Sequence, residues 1–141
     1  MKINAIIVIL VTLILACSKK QTRDNQPCGE TVLIDQTAYA NTNTANYNIT
    51  NAVVNGDCLE ISFGSSGCNG DTWIASLVDS EGVLDSNPVQ RMIKLRLTNP
   101  ELCTAVFTKA VSFDITGLQV SGSSTVWLTL SGYNNTLLYH Y

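Results

Sequence analysis

Charged side chains are scarce in this chain. They make up 13 % of 141 residues, against roughly 25 % in an average globular protein. Eight basic residues face eleven acidic ones, a net charge of −3. That balance excludes the basic face a nucleic-acid binder needs. It also argues against a disordered acidic or basic tail. Histidine is limited to His140, one residue from the C-terminus. A Ser-His-Asp triad would have to use it, and no G-x-S-x-G elbow is present. No stretch after residue 17 keeps a helical period over three turns, and no internal repeat is visible. What remains is apolar residues at 45 %, enough for one small domain with a buried core.

The first residues carry an address. Met1-Lys2 is followed by an apolar run from Ile3 to Ala16. One lysine before a short apolar stretch is the layout of a secretory signal. The run is short for a membrane span, which needs about 20 apolar residues. It ends at Cys17, and the polar Ser18-Lys19-Lys20-Gln21 follows. Ile14-Leu15-Ala16-Cys17 resembles the lipobox of bacterial lipoproteins, with Leu15 where a smaller residue is commoner. The resemblance implies cleavage before Cys17, a diacylglycerol on its thiol and an acylated amine. Several acyl chains on one residue anchor firmly, since each buried CH₂ contributes about 0.8 kcal/mol. Ser18, rather than Asp, implies the outer membrane by the enterobacterial pattern, with either leaflet open. Residues 1–16 are thus read as the signal peptide and 17–27 as the lipidated cysteine and a polar tether. The domain is residues 28–141. The mature chain would hold 125 residues, seven of them basic and eleven acidic. Lys19, Lys20 and Arg23 in the tether would lie near anionic head groups.

Export gives the other cysteines a meaning. Cys28, Cys58, Cys68 and Cys103 form an even set in a compartment that permits disulfides. Their wide spacing has no C-x-x-C and does not suit zinc. Four cysteines allow three pairings, and the spacing does not choose among them. The preferred pairing is Cys68 with Cys103 and Cys28 with Cys58. Each closes a loop of about 30–35 residues, which the chain-entropy account values at roughly 3–4 kcal/mol.

Most of the domain alternates with period two, the sign of half-buried strands. Leu59, Ile61 and Phe63 form one apolar face; Ile93, Leu95 and Leu97 another; Val111, Phe113 and Ile115 a third; Val126, Leu128 and Leu130 a fourth. Trp73 to Val78 is apolar on both faces. Leu137 to Tyr141 closes the chain, and Thr31 to Ile34 and Tyr47 to Val54 are early strands. Turns are expected at Asn55-Gly56-Asp57, Gly64-Ser65-Ser66-Gly67, Glu81-Gly82 and Ser121-Gly122-Ser123-Ser124. Asn87-Pro88 and Asn99-Pro100 stop strands, and Asn99 to Lys109 has room for one helical turn. The expected fold is an all-β antiparallel β-sandwich of seven to eight strands.

The middle of the chain resembles small exported bacterial lipoproteins of unassigned role. The shared pattern runs through Ser66-Gly67-Cys68, Ser86-Asn87-Pro88-Val89-Gln90, Glu101-Leu102-Cys103-Thr104-Ala105 and Ser112-Phe113-Asp114. It covers roughly half the chain and implies a bridge between Cys68 and Cys103. It implies no activity.

Candidate chemistry is sparse. The carboxylates Glu60, Asp79, Glu81, Asp85 and Asp114 are spread over turns and strand faces, not paired as glycoside hydrolysis requires. Asp79 to Asp85 lacks the spacing of an EF-hand, and no metal is expected. Arg91, Lys94 and Arg96 sit on one strand, with Lys94 and Arg96 on one face, and could meet an anionic glycan or lipid. Trp127 lies opposite Val126, Leu128 and Leu130 and is the best aromatic platform candidate, whereas Trp73 reads as core. The sequence therefore describes a non-enzymatic, lipid-anchored module of the bacterial envelope without cofactor. Its partners would be the membrane and an envelope protein or glycan. The alternatives are an inhibitor or immunity-type lipoprotein, with Gly64 to Asp71 as its projecting loop, or a small envelope hydrolase or accessory domain.

Overall fold

The computed structural model describes residues 28–141. The expected signal peptide, lipidated Cys17 and tether lie outside them. Nine strands follow in order: β1 (Glu30–Thr31), β2 (Leu33–Ile34), β3 (Asn48–Asn55), β4 (Cys58–Gly67), β5 (Ile74–Leu84), β6 (Val89–Thr98), β7 (Ala105–Asp114), β8 (Thr125–Leu130) and β9 (Leu137–His140). A six-residue helix, α1 (Gln36–Asn41), lies between β2 and β3. The strands form two sheets, β1-β7-β4-β3 and β2-β5-β6-β8-β9, neither closed into a barrel.

The alternating faces meet in one core. Ile49, Leu59, Ile61, Phe63 and Phe113 from the first sheet join Leu77, Ile93, Leu95, Val126, Leu128 and Tyr139 from the second. Each buried aliphatic side chain contributes about 1.5–3 kcal/mol relative to exposure. Tyr139 keeps its hydroxyl satisfied by donating to Asp57 Oδ1 at 2.7 Å.

The strands are not purely antiparallel. β1 with β7, β2 with β5, and β6 with β8 pair in parallel. Period two shows which face a residue takes but says nothing of which strand lies alongside. Between β6 and β8 the chain visits the other sheet as β7, and so returns in the same direction. The expected single strand Thr31 to Ile34 is divided by a crossing. Val32 is buried and donates its N–H to Asp114 O, after which the chain joins β5 in the other sheet.

Three local expectations fail. Gly64 to Gly67 is not a turn but the end of β4, paired with β7 through Gly67↔Ala105; Ser65 is buried with its hydroxyl donating to Asn46 O. Glu81-Gly82 is a bulge in β5, where Asp79↔Ile93 and Val83↔Arg91 leave three residues opposite Met92. Asn99 to Thr104 is irregular, not helical, because Glu101 turns its carboxylate onto the neighbouring loop. The helix that does form, α1, is too short to show a period. Asp35 caps it by accepting the Ala38 N–H at 2.7 Å.

The bulge admits a buried ion pair. Arg91 Nη2 and Nε donate to Asp79 Oδ1 and Oδ2 at 2.5 and 3.1 Å. Asp79 is fully buried and Arg91 nearly so. Removing one partner strands the other charge. Asp79→Ala is expected to lower unfolding stability by about 3–5 kcal/mol in urea titration, whereas Asp79→Leu with Arg91→Met recovers most of that loss. A loss from Asp79→Ala of under about 1 kcal/mol would show that the pair is solvated.

Candidate functional site

Two loops meet at one end of the molecule: residues 68–73 between β4 and β5, and residues 99–104 between β6 and β7. Cys68 and Cys103 join them, with their Cα atoms 4.8 Å apart. Cys28 pairs with Cys58, completing the preferred arrangement.

Glu101 organises this end. Its Oε2 accepts the backbone N–H groups of Cys68, Gly70 and Asn69 at 2.5, 2.9 and 3.2 Å. Its Oε1 accepts the Thr72 hydroxyl at 2.9 Å. Successive N–H groups converging on one point form a concavity suited to an anion, and a residue of the chain itself fills it. Desolvation pulls the Glu101 pKa upward, but the hydrogen bonds from Gly70, Cys68, Thr72 and Asn69 outweigh it and bring the group down from 4.5 to about 2. Gly67 must lack a side chain, since a Cβ there would lie 2.4 Å from Glu101 Oε2. The loop is further tied by Lys109, whose Nζ donates to Gly70 O. Trp73 anchors it to the core by stacking on Phe63 at 6.0 Å between centroids.

The opposite loop is fixed on both sides of Leu102. Asn99 accepts the Glu101 N–H at 2.9 Å and donates to Ser66 O at 2.7 Å. Glu101 is held in its cradle and Cys103 by its bridge. Leu102 between them is 95 % exposed, and Val106 shortly after is 76 % exposed. A large apolar side chain this open, between two immobilised neighbours, has its backbone conformation set before any contact is made.

The residues singled out from the sequence are not brought together. Trp127 is half-buried on the second sheet, where its strand pairs with Gln90 on one side and Leu138 on the other. Arg91 faces inward onto Asp79. Lys94 donates to Tyr39 O at 3.0 Å at the end of α1, with its Nζ 4.3 Å from the Tyr39 ring centroid. Arg96 is exposed and donates to Ser76 Oγ at 3.0 Å. The expected projecting loop, Gly64 to Asp71, is half strand, and its remainder is the cradle; the residue that stands out belongs to the facing loop. Asn99-Pro100-Glu101-Leu102-Cys103 carried one signal, an apolar residue beside a bridged cysteine in a charged loop. Among the described residues no three His, Cys, Asp or Glu side chains gather as a metal site.

Comparison with known proteins gives only the fold. No family model matches the chain, and no curated protein matches it. Two solved structures are similar. One is a protein of unknown function, DUF1344, from Bacteroides vulgatus, at 16 % identity and TM-score 0.52 over 79 % of this chain and 57 % of that one. The other, from Parabacteroides distasonis, is described as toxin-related and matches at 15 % identity and TM-score 0.50, over 79 % of this chain and 60 % of that one. The chain therefore spans less than two thirds of either.

A depressed folded pKa gives stability that is complete above the unfolded value and is lost as pH falls through the folded one. The Glu101 contribution is therefore expected to be full above about pH 4.5 and lost towards about pH 2. Glu101→Gln should lower Tm at neutral pH, and the gap from the native chain should close as pH falls to about 2. A gap that stays constant across that window in thermal scans would remove the ionised carboxylate from the account.

Proposed function

We propose that this chain is a lipid-anchored module of the bacterial cell envelope, non-enzymatic, that binds a partner protein through its Cys68–Cys103 end. In this reading acylated Cys17 holds it on the outer membrane. The polar tether of residues 18–27 carries a β-sandwich made by packing the two sheets over their shared core.

The observation that carries the binding role is the exposure of Leu102 between two clamped residues. Binding costs less ordering entropy when the contact loop is already held. Interface energy concentrates in a few central side chains that enter a pocket on the partner. An inhibitor or immunity-type lipoprotein uses the same geometry when the partner is an enzyme or a toxin, and Leu102 is the residue it would insert. A glycan reading would rest instead on Trp127, with Lys94 and Arg96 engaged by Tyr39 O and Ser76 Oγ.

The test is made in the native membrane. The intact mass should equal Cys17–Tyr141 plus acyl chains, with four cysteines alkylated only after reduction. A photo-crosslinking residue at position 102 should yield a protein adduct, and one at position 127 should not. Leu102→Asp should weaken the captured complex at least about thirtyfold, equivalent to about 2 kcal/mol. An unacylated mass would overturn the anchor. Adducts from position 127 alone would overturn the site.

A further inference from the structure

The edge of β7 stands open beside the Leu102 loop. β7 pairs with β4 over its whole length, from Gly67↔Ala105 to Cys58↔Asp114, without a bulge. On its other side it pairs only at Phe113 and Asp114, with β1. Asp114 O accepts the Val32 N–H, so it points towards the β1 side. In a regular strand the N–H and C=O of one residue point the same way, and alternate residues alternate. The backbone groups of Val106, Thr108 and Ala110 therefore point outward, and no strand of the described residues lies beside them. Ser112 O also points that way, since a Cβ on Gly29 would come within 2.4 Å of it. The chain leaves the edge there. Cys28 is bridged to Cys58, on the strand at the far side of β7.

We propose that this open edge, from Val106 to Ala110, takes an extended, basic segment of a partner protein as an added strand. The inference rests on reading the Cys68–Cys103 end as the binding end and names the form its partner takes. Strand addition draws affinity from main-chain hydrogen bonds and specificity from pockets for alternate side chains. An open groove of about 390 Å³ lies at the Ala110 end of this edge, lined by Trp73, Ala75, Val111 and Phe113. It suits an apolar side chain of the added strand. The usual protections of an edge are missing. Residues 105–112 contain no proline, and Lys109 is folded back onto Gly70 O and the Trp73 ring, 5.8 Å from its centroid.

Charge selects the occupant. Residues 28–141 hold four basic and ten acidic side chains, a formal charge of −6. Glu30 lines the groove at one end of the edge, and the exposed Asp71 lies 3.9 Å from Lys109. A second copy would bring the same negative charge against its own, whereas lysine or arginine on the added strand is attracted.

The test uses the purified full chain in detergent and residue-resolved amide hydrogen exchange. The probe is an octapeptide alternating lysine and valine; the control alternates glutamate and valine. At saturation the lysine peptide should slow exchange at Val106, Thr108 and Ala110 by at least about tenfold, with the glutamate peptide inactive. Thr108→Pro removes an outward N–H without touching the ladder to β4 and should abolish the protection while leaving the fold intact. Should that variant unfold, a lysine peptide N-methylated along one edge makes the same test, and loss of protection with it supports the pairing. No protection, protection elsewhere, equal protection by both peptides, or protection by the N-methylated peptide overturns the proposal. Because the probe needs no native partner, its result stands apart from crosslinking at position 102. Protection without membrane crosslinks would leave the edge and refute the envelope partner, and crosslinks without protection would do the reverse.

Discussion

One carboxylate sets the shape of the Cys68–Cys103 end. Without a negative charge at Glu101, the N–H groups of Cys68, Asn69 and Gly70 would converge on nothing, and loop 68–73 would have no reason to curl as it does. The same side chain fixes the loop that bears it. Leu102 is therefore oriented by an interaction it takes no part in. The Cys68–Cys103 bridge acts differently. It limits the unfolded chain and keeps the two loops adjacent, but a single covalent link leaves rotation about it. Bridge and cradle together remove that freedom from both sides of Leu102.

The core explains why this end is open. Two sheets share one set of apolar side chains, and the chain crosses between them at Val32. That crossing covers the flank between β5 and β7 only where β1 and β2 reach. Glu30–Thr31 and Leu33–Ile34 are only two residues each, and Cys28 is bridged to Cys58 on the far side of β7. The remaining edge of β7 begins at Ala105, directly after the Leu102 loop. Rigid loop, apolar side chain and unpaired backbone thus lie along one continuous surface. The buried Asp79–Arg91 pair lies elsewhere, inside the bulge of β5, where it serves the fold.

Much of the fold was legible because period two reports burial directly. The faces Leu59-Ile61-Phe63, Ile93-Leu95-Leu97 and Val126-Leu128-Leu130 are all in the core. The preferred cysteine pairing is the one that forms. Strand neighbours were not legible, because alternation is blind to them; three parallel pairings went unseen. Glycine misled twice. Gly64 and Gly67 read as a turn, but both lie within β4, and only at Gly67 would a Cβ collide, with Glu101 and Trp73. The site was hardest to read. Arg91 looked like surface charge because its partner Asp79 lies twelve residues away, across a bulge that no local pattern announces. Glu101 looked like the first turn of a helix, because its ligands are backbone groups of another loop and backbone leaves no trace in side-chain identity.

The backbone on both sides of Leu102 is held by the cradle and the bridge in the free chain, and backbone relaxation tests this most directly. If the cradle and the bridge work as described, the amides of Glu101, Leu102 and Cys103 will show order parameters near about 0.85, the value of rigid secondary structure. Values below about 0.6 at these positions would mean that the loop is mobile in the free chain, which contradicts a loop clamped on both sides of Leu102.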